Sequence, residues 1–165
     1  LCLMTAQIAN GGYKIYPKIV FDDENKVSPI DKFTPLYKNS KNIKIIQDAM
    51  FASTNEVRGT SYRSRIDDPK YQFAGKTGTA QVKKITERDR ELDLKTFQIP
   101  YEERDHALYI AYGPYKNPRY AVSILVEHGG NGSTTAAPMA KKLFKTIIDR
   151  HQLRESINNK KYLDI

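Results

Sequence analysis

Two segments in the second half of the chain alternate in the way that β-strands do, and they constrain the fold more than any other feature. They are HALYIAYG (His106–Gly113) and RYAVSILVE (Arg119–Glu127), with PYKNP between them. In the second segment one set of alternate positions holds Tyr120, Val122, Ile124 and Val126, and the other holds Ala121, Ser123 and Leu125. Because two prolines and an asparagine favour a tight turn, the sequence predicts an antiparallel hairpin.

A helix and a further strand flank this hairpin. The helix is predicted to start near Thr134 or Thr135, with Pro138 in its first turn, where a missing N–H costs little. Its apolar stripe has helical spacing and comprises Ala136, Ala140, Leu143, Phe144, Ile147 and Ile148. The further strand lies in YQFAGKTGTAQVKK (Tyr71–Lys84). Three strands with antiparallel neighbours and a helix to cover them predict an α/β (α+β) fold, an antiparallel sheet covered by helices.

The chain is predicted to open with a helix. LCLMTAQIANGG has Leu1, Met4 and Ile8 at helical spacing and a Gly-Gly stop. Because this helix lacks a capping residue and the chain lacks an initiator methionine, we expect a piece of a longer protein. Short strands are predicted next, around Ile15, Ile19 and Phe21, with a turn at Asp22–Asn25.

A second helix is predicted over Ile43–Glu56, with Asn42 as its N-cap. Its inward face would hold Ile43, Ile46, Ala49 or Met50, and Ser53. Residues 83–104 are polar and weakly patterned, which predicts a long exposed connection. We therefore expect one domain portion over residues 1–150, followed by a polar C-terminal tail over residues 151–165.

The charge and cysteine content exclude several classes of function. The net charge of +8 comes from scattered residues, and the densest stretch, Lys83–Asp105, mixes both signs. A nucleic-acid groove would show a stripe of one sign with aromatic residues, so no nucleic-acid partner is expected. The single Cys2 excludes an internal disulfide and a cysteine-based metal site. No apolar run approaches the length of a membrane span.

The strand before the hairpin contains Gly75 and Gly78, although glycine weakens a strand interior. We therefore interpret this stretch as shaped by something other than packing. A phosphate-binding loop would need a glycine at position 70, which is Lys70, and a helix after Lys-Thr. Two interpretations remain: an edge strand whose backbone and hydroxyls bind a substrate, or an edge strand whose lysine only discourages aggregation.

Three segments together decide between these interpretations. They are AGKTGTAQV, then DHALYIAYGPYKNPRYAVSILVEHGGNG, then AAPMAKKLF. In this order they resemble the C-terminal part of a class B penicillin-binding protein transpeptidase domain, a family in which Lys-Thr-Gly is a known motif. The Gly-Gly-x-Gly favours the elongation-specific type, penicillin-binding protein 2. The resemblance covers Met4–Asp149.

The resemblance also shows what this sequence lacks. Family members use a nucleophilic serine in Ser-x-x-Lys and a second serine in Ser-x-Asn, both upstream of Lys-Thr-Gly. No Ser-x-x-Lys occurs in these 165 residues. Ser-x-Asn occurs at Ser40–Asn42, Ser53–Asn55 and Ser156–Asn158, which all follow the IANGG segment instead of preceding it. We therefore expect the chain by itself to be inactive, with one of three active-site motifs.

The resemblance implies a parent protein that is a serine-type D,D-transpeptidase, which crosslinks peptidoglycan stem peptides by acyl transfer and is acylated by β-lactams. It implies cell-elongation proteins as partners, no cofactor and no metal, and a place on the periplasmic face of the inner membrane with an anchor outside this chain. A non-catalytic penicillin-recognising sensor or scaffold remains an alternative. A plain β-lactam hydrolase is disfavoured by the long class B-like tail.

Five residues are candidate site residues by the same resemblance. Lys76 would organise the proton network around the serine and attract the substrate carboxylate, which the hydroxyls of Thr77 and Thr79 would bind. The backbone N–H of Thr79 would be an oxyanion donor, Gly78 would keep the strand accessible, and Gln81 would lie near the substrate's path. By contrast, structural positions are expected for His106 and the turn at Arg58–Thr60, and His151 is expected on the tail. For His128 we expect a position in a loop, with the alternative that this glycine-rich loop faces the cleft.

Overall fold

The computed structural model describes residues 1–17, 34–84, 87, 91 and 94–163, with side chains as far as position 153. Its three described strands are β1 (Ala74–Ala80), β2 (His106–Gly113) and β3 (Tyr120–Val126), and they form an antiparallel sheet in the order β1-β2-β3. The predicted hairpin is therefore confirmed. The first strand is shorter than the Tyr71–Lys84 stretch, because Gln81 and the residues after it leave the ladder.

One face of the sheet packs against α3 (Ala136–Leu163). At its centre Phe73 stacks on Phe144 with ring centroids 4.9 Å apart, and both side chains are fully buried. Most of the predicted stripe is confirmed, but Leu143 is wrong: it is 38% exposed, and Ala137 is buried instead. The buried face of the helix combines small residues in its first turns, Ala136, Ala137 and Ala140, with the larger Phe144 and Ile148 further along. The helix continues through position 150 into the predicted tail.

The opposite face packs against α1 (Cys2–Ala9) and α2 (Ser40–Asn55). Buried Met50, Ala74 and Tyr112 form the centre of this second core. Helices therefore cover both faces of the antiparallel sheet, in agreement with the predicted fold class. The predicted N-cap Asn42 is wrong, because Asn39 caps the helix by accepting a 3.0 Å hydrogen bond from the Lys41 N–H, and the polar turn after it is already helical.

The inward faces of both N-terminal helices differ from prediction. In α1, Leu1 and Met4 are 60% and 44% exposed, and Thr5 is buried with its hydroxyl on the Leu1 carbonyl. In α2, Met50 is buried as predicted, but Ile46 is 41% exposed and Thr54 is buried in addition. A hydroxyl can be buried in a helix because it bonds to the carbonyl one turn earlier, a placement that apolar periodicity does not reveal.

The strands predicted after α1 are not found where the structure describes the chain. Ile15 lies in a segment without strand structure, and a single antiparallel bridge joins Tyr13 to Pro35. The predicted positions Ile19, Phe21 and Asp22–Asn25 lie outside the described residues. Among the described helices, none is both long and apolar enough to cross a bilayer.

Two buried tyrosines on β2 offer a matched test of how much the hydrogen bonds of a buried hydroxyl contribute to the stability of the fold. The Tyr109 hydroxyl lies 2.9 Å from the Thr54 hydroxyl and 3.0 Å from that of Ser61. The Tyr112 hydroxyl is buried without a partner among the described residues. Burial raises the pKa of both phenols, so both remain neutral at ordinary pH.

We expect Tyr109→Phe to lower the free energy of unfolding by about 1 kcal/mol, the net value of a hydrogen bond. The buried hydroxyls of Thr54 and Ser61 each lose one partner and keep the backbone carbonyls to which they also bond. Tyr112→Phe removes a group that is already unsatisfied, so its effect should be neutral or stabilising. Denaturant melts of the two variants measure the difference. Equal losses would contradict the assigned network.

Candidate functional site

The candidate site lies along the edge of β1 that pairs with no other described strand. The carbonyls of Phe73 and Gly75 point toward this edge, where they accept hydrogen bonds from Asn55 and Thr54 of α2. In an antiparallel ladder, successive residues direct their N–H and C=O alternately toward the partner strand and away from it. The N–H groups of Thr77 and Thr79 therefore also point to the unpaired edge.

A polar cleft of about 390 Å³ runs along this edge. The structure brings four of the five candidate residues into its wall: Lys76, Thr77, Gly78 and Thr79. The predicted Gln81 is exposed just beyond the end of β1 and does not line the cleft. The strand therefore presents one ammonium group, two hydroxyls and outward N–H groups to the same space.

Lys76 lies where the polar cleft meets an apolar groove of about 580 Å³. The groove is formed between α2 and the sheet, and its lining includes Ile46, Met50 and Ile110. The Lys76 side chain is exposed, and its ammonium donates a 2.9 Å hydrogen bond to the Thr77 carbonyl. An exposed ammonium at the mouth of a cleft attracts anionic groups without a packing role.

Three further residues line the cleft and are not among the predicted site residues: Thr60, Asn131 and Ser133. The Thr60 hydroxyl lies 3.3 Å from that of Thr77, and 3.2 Å from that of Ser53 in α2. The other two come from the HGGNGS loop after β3. The alternative that this loop faces the cleft is therefore correct. The sequence does not indicate which side chains of the loop line the cleft.

Packing explains why position 75 is a glycine. The interpretation that something other than packing shapes the whole stretch is therefore wrong at this position. A Cβ here would lie 2.3 Å from the Tyr109 hydroxyl and 2.5 Å from its Cζ. Tyr109 pairs with Thr77 across the ladder, and its ring passes diagonally over Gly75 to reach α2. The ring thus occupies the volume that a side chain at position 75 would need.

Gly78 contacts the loop after β3 through a second glycine. A Cβ on Gly132 would lie 2.4 Å from the Leu108 carbonyl oxygen and 2.6 Å from that of Gly78. The loop backbone therefore rests directly on the ladder between β1 and β2. A Cβ on Gly78 itself would meet only the Leu108 Cβ, at 3.3 Å.

The histidines lie outside the cleft, and His106 and His128 connect loop segments. The ring nitrogen Nδ1 of His106 accepts a 2.9 Å hydrogen bond from the His128 backbone N–H. The His128 ring lies 3.1 Å from the Arg104 carbonyl and packs on Tyr101. His151 packs edge-on against Tyr120. Among the residues that the structure describes, no group of histidine, cysteine and carboxylate side chains could hold a metal ion.

Comparison with known proteins places this architecture in a family. The profile described as "Penicillin binding protein transpeptidase domain" matches residues 1–148. A curated relative, the peptidoglycan D,D-transpeptidase MrdA of Salmonella typhimurium (strain SL1344), is 35% identical over 105 residues. That match covers 64% of this chain and 16% of the relative, so the chain spans about one sixth of that protein's length.

Solved structures give the same result. The PBP2 of Pseudomonas aeruginosa, in complex with WCK 5153, matches with a TM-score of 0.62 and 30% identity, over 87% of this chain and 28% of that one. The PBP2 of Helicobacter pylori, in a complex with MreC, matches with a TM-score of 0.58 and 29% identity, over 76% of this chain and 20% of that one.

Proposed function

Since the chain belongs to the family of penicillin-binding protein transpeptidase domains, we propose that the protein carrying it is a peptidoglycan D,D-transpeptidase and that these residues form one wall of its active site. The predicted likeness to the penicillin-binding protein 2 type is confirmed by the MrdA and PBP2 relatives. The activity of the whole protein is our proposal, because the chain spans 16% of the Salmonella relative.

The cleft along the unpaired edge of β1 carries this proposal. A peptide-like substrate can lie against such an edge as an added strand. The Thr79 N–H, which points to the edge, is a donor for the oxyanion that forms when a carbonyl is attacked. The hydroxyls of Thr77 and Thr79 suit a substrate carboxylate, and Lys76 supplies the positive charge beside it. Gly78 leaves the strand open to the ligand, and Gln81 would contact only the outer part of a substrate.

The nucleophile has to come from outside these 165 residues, because no Ser-x-x-Lys occurs among them. The Ser53–Asn55 triplet does not replace the missing Ser-x-Asn. The Asn55 amide donates to the carbonyls of Phe51 and Phe73, and Thr54 is buried. A serine supplied from the missing part would attack the penultimate D-alanine carbonyl, expel the terminal D-alanine and pass the acyl group to the amine of a neighbouring stem peptide.

The proposal extends to where the protein acts and with what. We place it at the periplasmic face of the inner membrane, where peptidoglycan stem peptides and β-lactams would reach the cleft. An elongation partner is proposed by analogy with the Helicobacter pylori PBP2, which was solved in complex with MreC.

Labelling with a fluorescent penicillin tests the proposed function. We expect the complete protein to give a labelled band on a denaturing gel, and excess unlabelled penicillin to abolish it. The 165-residue chain alone should give no band, because it has no serine with a lysine three positions on. An unlabelled complete protein would favour the sensor or scaffold alternative. A competed band on the chain alone would show that the nucleophile lies within it.

A further inference from the structure

The amide of Asn131 is held in one orientation by the turn that follows it. Its Oδ1 accepts two hydrogen bonds, from the Ser133 N–H and from the Ser133 hydroxyl, both at 2.8 Å. A side-chain amide carries its acceptor and its donors on opposite arms. With the oxygen committed to the turn, the NH₂ group points away from the turn, and the side chain lines the cleft.

The NH₂ group remains available to a ligand. Among the described residues it has no acceptor, and Asn131 is exposed in the cleft wall. The next residue, Gly132, rests on the Gly78 carbonyl. This contact holds the Asn131 backbone beside the ladder, and Asn131 lines the same cleft as Gly78 and Thr79, the end of the edge along which an added strand would continue.

An uncharged donor suits an uncharged acceptor. In the proposed function the substrate carboxylate is already bound by the ammonium of Lys76 and the hydroxyls of Thr77 and Thr79. A peptide lying along β1 also presents backbone carbonyls to the opposite wall of the cleft, and an amide NH₂ is a suitable partner for one of them. We propose that Asn131 is a specificity-determining residue that donates a hydrogen bond to an amide carbonyl on the acyl side of the substrate.

Two classes of β-lactam test this inference, which rests on the proposed function. Benzylpenicillin carries an acylamino side chain with an amide carbonyl. A carbapenem such as imipenem carries a hydroxyethyl group there, and both drugs carry a carboxylate. The experiment compares second-order acylation rates of the complete protein with and without Asn131→Asp. Aspartate keeps the acceptor for Ser133 and removes the donor, and its charge acts on the carboxylates of both drugs.

We expect the ratio of penicillin to carbapenem acylation rates to fall about five- to tenfold in Asn131→Asp, the value of one hydrogen bond. Equal slowing with both drugs, or no slowing, would overturn the inference while leaving the proposed function intact. Failure of the unmodified protein to react with either drug would overturn both.

Thr134→Ala is the matched control. The Thr134 hydroxyl donates to the Asn131 main-chain carbonyl at 3.3 Å, so its loss loosens the same turn without touching the amide. The ratio should stay within about twofold of the unmodified protein, a difference of less than one hydrogen bond. The same fall in both variants would assign the effect to turn geometry and overturn the inference.

Discussion

Replacing Lys76 with alanine should lower β-lactam acylation of the complete protein by about 10²- to 10⁴-fold, the range for loss of a positioned proton-transfer or electrostatic group. The melting temperature should not change, because the side chain is exposed and its described hydrogen bond is to its neighbour's carbonyl. The effect comes from loss of the ammonium where the cleft meets the apolar groove. Stopped-flow acylation and thermal melts on the same sample measure the two quantities.

Lys141→Ala provides the control for this prediction. Lys141 is an exposed lysine of α3, and it does not line the cleft. Its removal changes the net charge by the same amount, so both acylation and melting temperature should stay at their original values. If Lys76→Ala behaved like this control, Lys76 would be a surface charge that only protects the strand edge.

A single methyl group at position 75 should destabilise the fold by about 3 kcal/mol or more, at the upper end of the costs of overpacking. The new Cβ would lie 2.3 Å from the Tyr109 hydroxyl. Tyr109 cannot move aside cheaply, because it is fully buried and its hydroxyl is held between Thr54 and Ser61. Chemical denaturation of Gly75→Ala gives the loss directly.

Gly78→Ala is the partner variant, three residues along the same strand. Its Cβ would approach only the Leu108 Cβ, at 3.3 Å, and neither atom belongs to the backbone ladder. We expect a cost below about 1 kcal/mol, since a shift of a few tenths of an ångström relieves the contact. Similar losses in the two variants would mean that the Tyr109 ring is not what requires glycine at position 75.

The elements that the sequence predicted correctly depend on local patterns. The hairpin follows from alternation on either side of a proline-containing turn, and α3 follows from small and apolar residues at helical spacing. The start of α2 was misplaced because two asparagines three residues apart can both cap a helix, and local sequence does not choose between Asn39 and Asn42. The residue at which such a helix begins depends on whether the rest of the fold accommodates the extra helical turn.

What the sequence missed depends on contacts between distant residues. Thr54 is buried because it meets Tyr109, 55 positions away, and no pattern within α2 reveals that partner. The interpretation of Gly75 depends on its neighbours in the sequence, although the Tyr109 ring, which occupies the space of a side chain at position 75, comes from the next strand. The sequence predicts the cleft residues from one strand and leaves the loop after β3 as an alternative, whereas Thr60 and Asn131 reach the cleft from two other segments. The roles of Lys76, Thr77, Gly78, Thr79 and Gln81 remain predictions.

If the protein binds β-lactams as proposed, the contact of Gly132 with the two strands also limits how its cleft can adapt to these drugs. Bacteria under antibiotic selection change the shape of a pocket by exchanging residues around the inhibitor. At position 132 every exchange adds a Cβ that collides with carbonyl oxygens fixed in the ladder, so the wall would be lost before its fit to a drug improved. Under the proposed function we therefore expect changes in drug preference at exposed side chains of the cleft, such as Thr60 and Asn131, and none at Gly132.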